Sequence, residues 1–133
     1  MDREPLQWLQ RSGPHCRIIR DHPHDGRFHR ISVPLPGKFA YVKFANPASR
    51  YALVGVAVSQ TGKDARVAVT GAGSSGVFRH KAAEAALGQN WSVQALANLA
   101  TSAADMMSDI HADAAYRAHL VGVLARRAVA KAG

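Results

Sequence analysis

A near-continuous apolar run at residues 51–59 stops at Thr61-Gly62-Lys63, and an alternating segment at residues 64–70 follows at once. Nothing else constrains the fold of this chain so tightly. Thr-Gly-Lys has the composition of a hairpin turn, so the two segments are expected to fold back on each other as antiparallel strands. In the second, Ala65, Val67 and Val69 share one face, because side chains alternate along a strand. The first has the pattern of a strand with little exposed face. A third strand precedes them at residues 39–45, with aromatic and β-branched residues throughout, Pro34 and Pro36 just before it and Pro47 just after.

Beyond residue 78 the period changes. Residues 79–87 are rich in helix formers and are expected to stop at Gly88. Ser92 is placed to cap a second helix, in which Leu96, Leu99, Ala100 and Ala103 recur at helical spacing. A third helix is expected over residues 112–131. Asp113 and Arg117 lie one turn apart there and can pair, while Tyr116, Leu120, Val123 and Leu124 give it a buried side. Strands first and helices after is an α+β order. It predicts a small antiparallel sheet of about three strands packed against about three helices. Ala and Val dominate the 47% apolar share and aromatics are 7%, so the core should be built from small side chains that let helices approach closely.

Residues 1–30 are different. They hold six arginines, four of the seven histidines and three of the six prolines, with no sustained periodicity. Irregular structure is expected there, with the folded domain running over residues 31–133. Cys16 is the only cysteine, which excludes an intramolecular disulfide. There is no signal-peptide pattern and no apolar run long enough to span a bilayer, so the cytoplasm is the expected compartment and no membrane partner is expected. The net charge is +8, but the basic residues are scattered. The densest group, Arg126, Arg127 and Lys131, sits at a helix end, where cations complement the helix dipole. No basic run is interleaved with stacking aromatics, so the pattern does not point to nucleic acid.

Several patterns invite a chemical reading and are better explained otherwise. Gly71-Ala-Gly73-Ser-Ser-Gly76 has the G-x-G-x-x-G spacing of a dinucleotide site. A true fingerprint opens its helix inside the loop and carries an acidic residue about 20 positions on. Here Val77 and Phe78 intervene, and residues 91–100 contain no Asp or Glu. A strand-to-helix loop is the better reading. His15, Cys16, His22 and His24 lack the tight, repeated pairs of a zinc site, so no metal is assigned. Asp105, Asp109 and Asp113 recur every four residues, which helix capping and a pair with Arg117 explain. Met106 and Met107 read as core filler. No catalytic residue is assigned.

From Ile31 onward the chain resembles a known domain. Ile31-Ser-Val-Pro34 resembles a strand end leading into it. Tyr41-Val-Lys43-Phe followed by Ala48-Ser49-Arg50 resembles its Y-x-K stretch and A-S-R. Ala65-Arg-Val-Ala-Val-Thr-Gly71 resembles its third strand and glycine loop. Arg79 with Ala83-Glu84-Ala-Ala-Leu87-Gly88 resembles its R-x-x-x-A-E-x-x-L-x-G helix. Ser108-Asp109-Ile110, Tyr116-Arg117 and His119-Leu120 resemble its closing signature. The domain is the C-terminal one of the FAD-carrying subunit of molybdenum hydroxylases of the carbon monoxide dehydrogenase and xanthine dehydrogenase family.

The resemblance implies a small sheet with about three helices, a complex with an iron–sulfur subunit and a molybdopterin subunit, and electron flow from molybdenum through iron–sulfur clusters to FAD. It implies a domain that helps cover the flavin and catalyses nothing alone. Its candidate flavin contacts are Tyr41, Lys43 and Arg50. The main FAD-binding domains of the family have no counterpart here, so FAD is expected only beside such a domain, in a separate chain if need be. Residues 1–30 do not resemble them and read as a leader unrelated to the family. A second class of function is a stand-alone interaction module that reuses the fold without flavin and is drawn by its basic charge to an acidic protein surface.

Overall fold

A computed structural model of the chain describes residues 37–133 and two short strands ahead of them, β1 (Arg17–Ile19) and β2 (Arg30–Ser32). The chain divides into two compact units, Met1–Leu35 and Pro36–Gly133. In the first, β1 and β2 pair antiparallel with Ile18 opposite Ile31. His15, Cys16, His22 and His24 lie outside the described residues.

The second unit is an antiparallel sheet of four strands in sequential order: β3 (Lys38–Ala45), β4 (Ala52–Thr61), β5 (Asp64–Thr70) and β6 (Phe78–Arg79). Two helices follow, α1 (Lys81–Gln89) and α2 (Ala114–Ala132). The α+β reading therefore holds. The turn between β4 and β5 is two residues, with Thr61 opposite Asp64 and Gly62 at φ +60. Glycine at the first turn position admits that left-handed backbone without a Cβ clash.

The sheet has two unlike faces. Ala40, Val58 and Val67 form one cross-strand row; Val42, Val56, Val69 and Phe78 form the next. Val54, Val56, Val58, Val67 and Val69 are buried here with Leu87 of α1 and Leu120, Val121, Leu124, Ala125 and Ala128 of α2. Val and Ala keep this layer thin, as the composition foretold. The opposite face of β4 carries Gly55, Ala57 and Ser59, which explains why its apolar run looked almost continuous. Small residues stand where a sheet with one open face usually shows larger polar ones.

Four details depart from the sequence reading. The two-residue strand β6 was not expected; it is too short to show a period. The expected second helix shrinks to one 3-10 turn, Gln94–Leu96. Its N-cap is Val93 rather than Ser92, although Ser92 Oγ accepts from the Ala95 N–H at 3.2 Å, and Leu96, Ala97 and Leu99 each donate only three residues back. Asn98, Thr101 and Ser102 then favour side chain–backbone bonding over helix, and Ser102 Oγ accepts from the Ala104 N–H. Gly88 lies inside the last turn of α1; the helix ends at Asn90, whose N–H reaches the Ala86 carbonyl. Asp113 does not pair with Arg117. It caps α2 by accepting from the Tyr116 N–H at 2.7 Å, and Arg117 pairs with Asp109 instead.

That last exchange anchors the fold. Arg117 is 1% exposed. Its Nη1 donates to the carbonyls of Leu53 at 2.6 Å and Gly71 at 2.9 Å, and its Nη2 donates to Asp109 Oδ2 at 2.7 Å. One guanidinium thus joins α2, the start of β4 and the end of β5. Among the described residues no helix is long and apolar enough to cross a membrane.

Candidate functional site

The face of the sheet turned away from α2 is the candidate site. Three cross-strand rows build it: Phe39–Ser59–Arg66, Tyr41–Ala57–Ala68–Arg79 and Lys43–Gly55–Thr70. Tyr41 and Lys43 therefore lie on one face, as strand alternation requires.

Tyr41 is laid over the sheet. A Cβ added at Gly55 would collide with the Tyr41 hydroxyl, with its Cζ at 2.9 Å and with Thr70 Oγ1 at 2.5 Å. The ring thus slants from its own row toward that of Lys43, and only the bare backbone of Gly55 makes room for it. Tyr41 stays 45% exposed, so a large part of it faces outward. Gly55 was not singled out in the sequence, though one glycine in a Val- and Ala-rich strand often marks a close approach.

Lys43 Nζ donates to the Arg50 carbonyl at 3.0 Å. Arg50 closes the β3–β4 connection in a left-handed conformation, φ 63, unusual for a residue with a side chain. Asn46 organises that connection. Its Oδ1 accepts from the N–H groups of Ala48 at 2.9 Å and Ser49 at 3.3 Å, and its carbonyl accepts from the Arg50 N–H at 2.9 Å. The three candidate residues are thus adjacent: Tyr41 and Lys43 on the face, Arg50 held at its end through its backbone.

Beside Tyr41 the face forms a groove of about 400 Å3 whose lining includes Phe39, Ala57, Ala68, Arg66 and Arg79. Arg79 is fixed there by a two-pronged pair with Glu84, at 2.7 Å from Nε and 2.8 Å from Nη2. Glu84 also accepts from the Val67 N–H of β5 at 3.1 Å. Burial alone would push the Glu84 carboxyl up, but the Arg79 and Val67 hydrogen bonds and the charges of Arg79 and Lys81 bring it below its usual value. The carboxylate therefore stays charged and ties the edge of the sheet to α1. Aromatic rings, an apolar floor and the cations of Lys43, Arg66 and Arg79 make a surface suited to a planar ring with electron-rich edges.

The glycine loop is structural. Gly71 has φ +74, and a Cβ there would meet the Ala52 carbonyl at 2.5 Å. A Cβ on Gly73 would meet the Gly76 carbonyl at 2.7 Å and the Phe78 ring at 2.8 Å. The Ser74 N–H bonds the Asp105 carbonyl, the Gly76 N–H bonds the Gly73 carbonyl, and the Met107 N–H bonds the Ala72 carbonyl. The loop uses its glycines for close packing and its backbone against residues 105–107. No group of three His, Cys, Asp or Glu side chains able to hold a metal occurs among the described residues.

A four-stranded antiparallel sheet with helices on one face and an aromatic, cationic outer face is a small α+β domain. The chain belongs to the CO dehydrogenase flavoprotein C-terminal domain family, whose model matches residues 39–132. Among solved structures it is similar to quinoline 2-oxidoreductase from Pseudomonas putida 86, at 22% identity and a TM-score of 0.51, covering 77% of this chain and 39% of that one. It is also similar to the Cu,Mo-CO dehydrogenase in its cyanide-inactivated form, at 25% identity and a TM-score of 0.49, covering 77% and 40%. The match thus takes in about two fifths of either chain. Comparison with curated protein sequences returns no significant match.

Proposed function

We propose that this chain serves as the flavin-covering C-terminal domain of the FAD-carrying subunit of a molybdenum hydroxylase of the carbon monoxide dehydrogenase type. In this reading Tyr41 offers its ring to the isoalloxazine, and Lys43 and Arg50 offer cations to its electron-rich edge or to the phosphates. One observation carries the proposal: Tyr41 is seated over Gly55 on the open face, in the same patch as Lys43. Flavin, when bound, supplies the electron-transfer chemistry; the side chains here orient it and shield it from water.

The residues fit one end of FAD. The open face suits a flat ring, whereas the glycine loop spends its Ser74 and Gly76 N–H groups on the Asp105 and Gly73 carbonyls. In this reading an FAD-binding domain holds the rest of the cofactor. The partners in this reading are that domain, the iron–sulfur subunit and the molybdopterin subunit. The test is reconstitution. The full chain is mixed with the FAD-binding domain of a relative, and flavin retention on a sizing column is compared with that of the FAD domain alone. Greater retention with co-elution is expected. Co-elution failing at micromolar concentration, or flavin lost equally fast with and without this chain, overturns the reading and leaves the flavin-free interaction module.

A further inference from the structure

A second cavity, of about 300 Å3, lies away from the sheet, between α2 and the segment after the 3-10 turn. His119, Gly122 and Arg126 line it from α2, spaced three and four residues apart so that they share one helix face. Thr101 lines it from the other side, and no acidic residue takes part. Indeed α2 has no acidic residue along its whole length.

Hydrogen bonds leave donors on two of the lining residues, Thr101 and Arg126. His80 Nδ1 accepts from the Ala83 N–H, so the ring proton sits on Nε2, which lies 3.0 Å from Thr101 Oγ1. His80 therefore donates to Thr101, and the Thr101 hydroxyl proton must find an acceptor elsewhere. No described protein group accepts it. Arg126 makes one hydrogen bond among the described residues, from Nη1 to the Leu96 carbonyl at 3.3 Å. That bond moors the guanidinium at the cavity's end and leaves its other N–H groups open. Gly122 keeps the wall low, since a Cβ there would touch both Arg126 Nη1 at 3.7 Å and the Leu99 carbonyl at 3.8 Å.

We propose that Thr101, His119 and Arg126 form a binding site for a phosphate-type oxyanion. A hydroxyl donor, an imidazole and a guanidinium around one polar hollow without a carboxylate match such an anion and would repel a cation. The site is separate from the open sheet face and does not depend on the flavin reading. The anion can arrive free or as a phosphate monoester, for which Leu99 and Ala103 offer apolar contact to a carbon skeleton.

The experiment uses the full chain, with inorganic phosphate and glycerol 3-phosphate titrated separately at constant ionic strength. Binding is followed through the His119 ring resonances. Saturable shifts are expected, weakened about tenfold in Arg126→Gln and also weakened in Thr101→Val. Arg127→Gln, which removes the same charge outside the cavity, should alter affinity by less than about twofold. Tighter binding of the ester assigns an organic phosphate, and equal affinity assigns the free ion. Shifts that do not saturate, or an equal loss in Arg127→Gln and Arg126→Gln, overturn the site. Thr101→Val also loses a contact to His80, so its melting temperature is measured alongside; the comparison of the two arginine variants decides the question if that variant unfolds.

Discussion

The Tyr41 hydroxyl occupies the space that a side chain at position 55 would need, and Gly55 is the residue that leaves it empty. The pair is buried backbone under exposed ring, so a change at Gly55 acts on Tyr41 before anything else. Gly55→Ala is expected to lift the ring from the sheet and to cost about 1–3 kcal/mol as an overpacked site. Chemical denaturation measures the cost, and tyrosine fluorescence reports the ring's new environment. An unchanged spectrum and stability would contradict the seating described here.

Arg117 is the next most exacting position. Its replacement by Ala strands the Leu53 and Gly71 carbonyls and breaks the pair with Asp109. The expected loss is about 2–4 kcal/mol, chiefly from the two carbonyls left without a donor, since Asp109 itself is exposed. Arg117→Lys should recover little, because an ammonium cannot reach three acceptors in a fixed fork. Urea melts of the two variants check this; full rescue by Lys would show that charge alone suffices.

Stability should fall with pH in two steps. His80 sits below its ordinary 6.5, chiefly through burial, with hydrogen bonding and the Glu84 charge offsetting part of the shift. The unfolded chain then binds the proton more readily, so this contribution is complete above about 6.5 and is lost as pH falls through the lower folded value. Protonation would also remove the Nδ1 acceptor that caps α1. Asp109 lies below its ordinary 3.8 because it accepts from the His111 and Ala112 N–H groups and then from Arg117; Glu84 lies below 4.5. Their contributions are present above those values and are lost as pH falls further. His80→Ser keeps a capping acceptor without a titrating group, so it should flatten the first step and leave the second. Melting temperature against pH checks both.

The compact unit Pro36–Gly133 contains the described core. A chain beginning at Pro36 is expected to melt in one cooperative transition by calorimetry. A broad, uncooperative melt would show that the core needs residues ahead of it.

Much of this architecture was readable because it follows short-range periodicity. The alternation of Ala65, Val67 and Val69 and the Thr61-Gly62-Lys63 turn located β4 and β5 closely. The stripe of Leu120, Val123 and Leu124 located α2. What periodicity could not supply was partner choice. Asp109 and Asp113 are both within reach of Arg117 along the chain, and only the fold decides that one caps while the other pairs. The stretch after Ser92 has helical spacing, but its Asn, Thr and Ser side chains and its contacts with α2 win over that weak pattern. Of the site, Tyr41, Lys43 and Arg50 came from resemblance to the family. Gly55, Arg66 and Arg79 became visible only when strand register set them beside Tyr41.

The flavin-facing role of the open sheet is the central claim, and bound-flavin fluorescence tests it most directly. With a relative's FAD-binding domain supplied in trans to the full chain, wild type, Tyr41→Phe, Tyr41→Ala and Lys43→Ala are compared at equal complex and unchanged melting temperature. A tyrosine ring against the isoalloxazine quenches its emission. Tyr41→Ala should therefore brighten the bound flavin, Tyr41→Phe should change it less, and Lys43→Ala should weaken flavin retention. If Tyr41→Ala and Lys43→Ala leave emission and retention as in wild type while the two proteins still associate, the open face does not meet the flavin and the account is wrong.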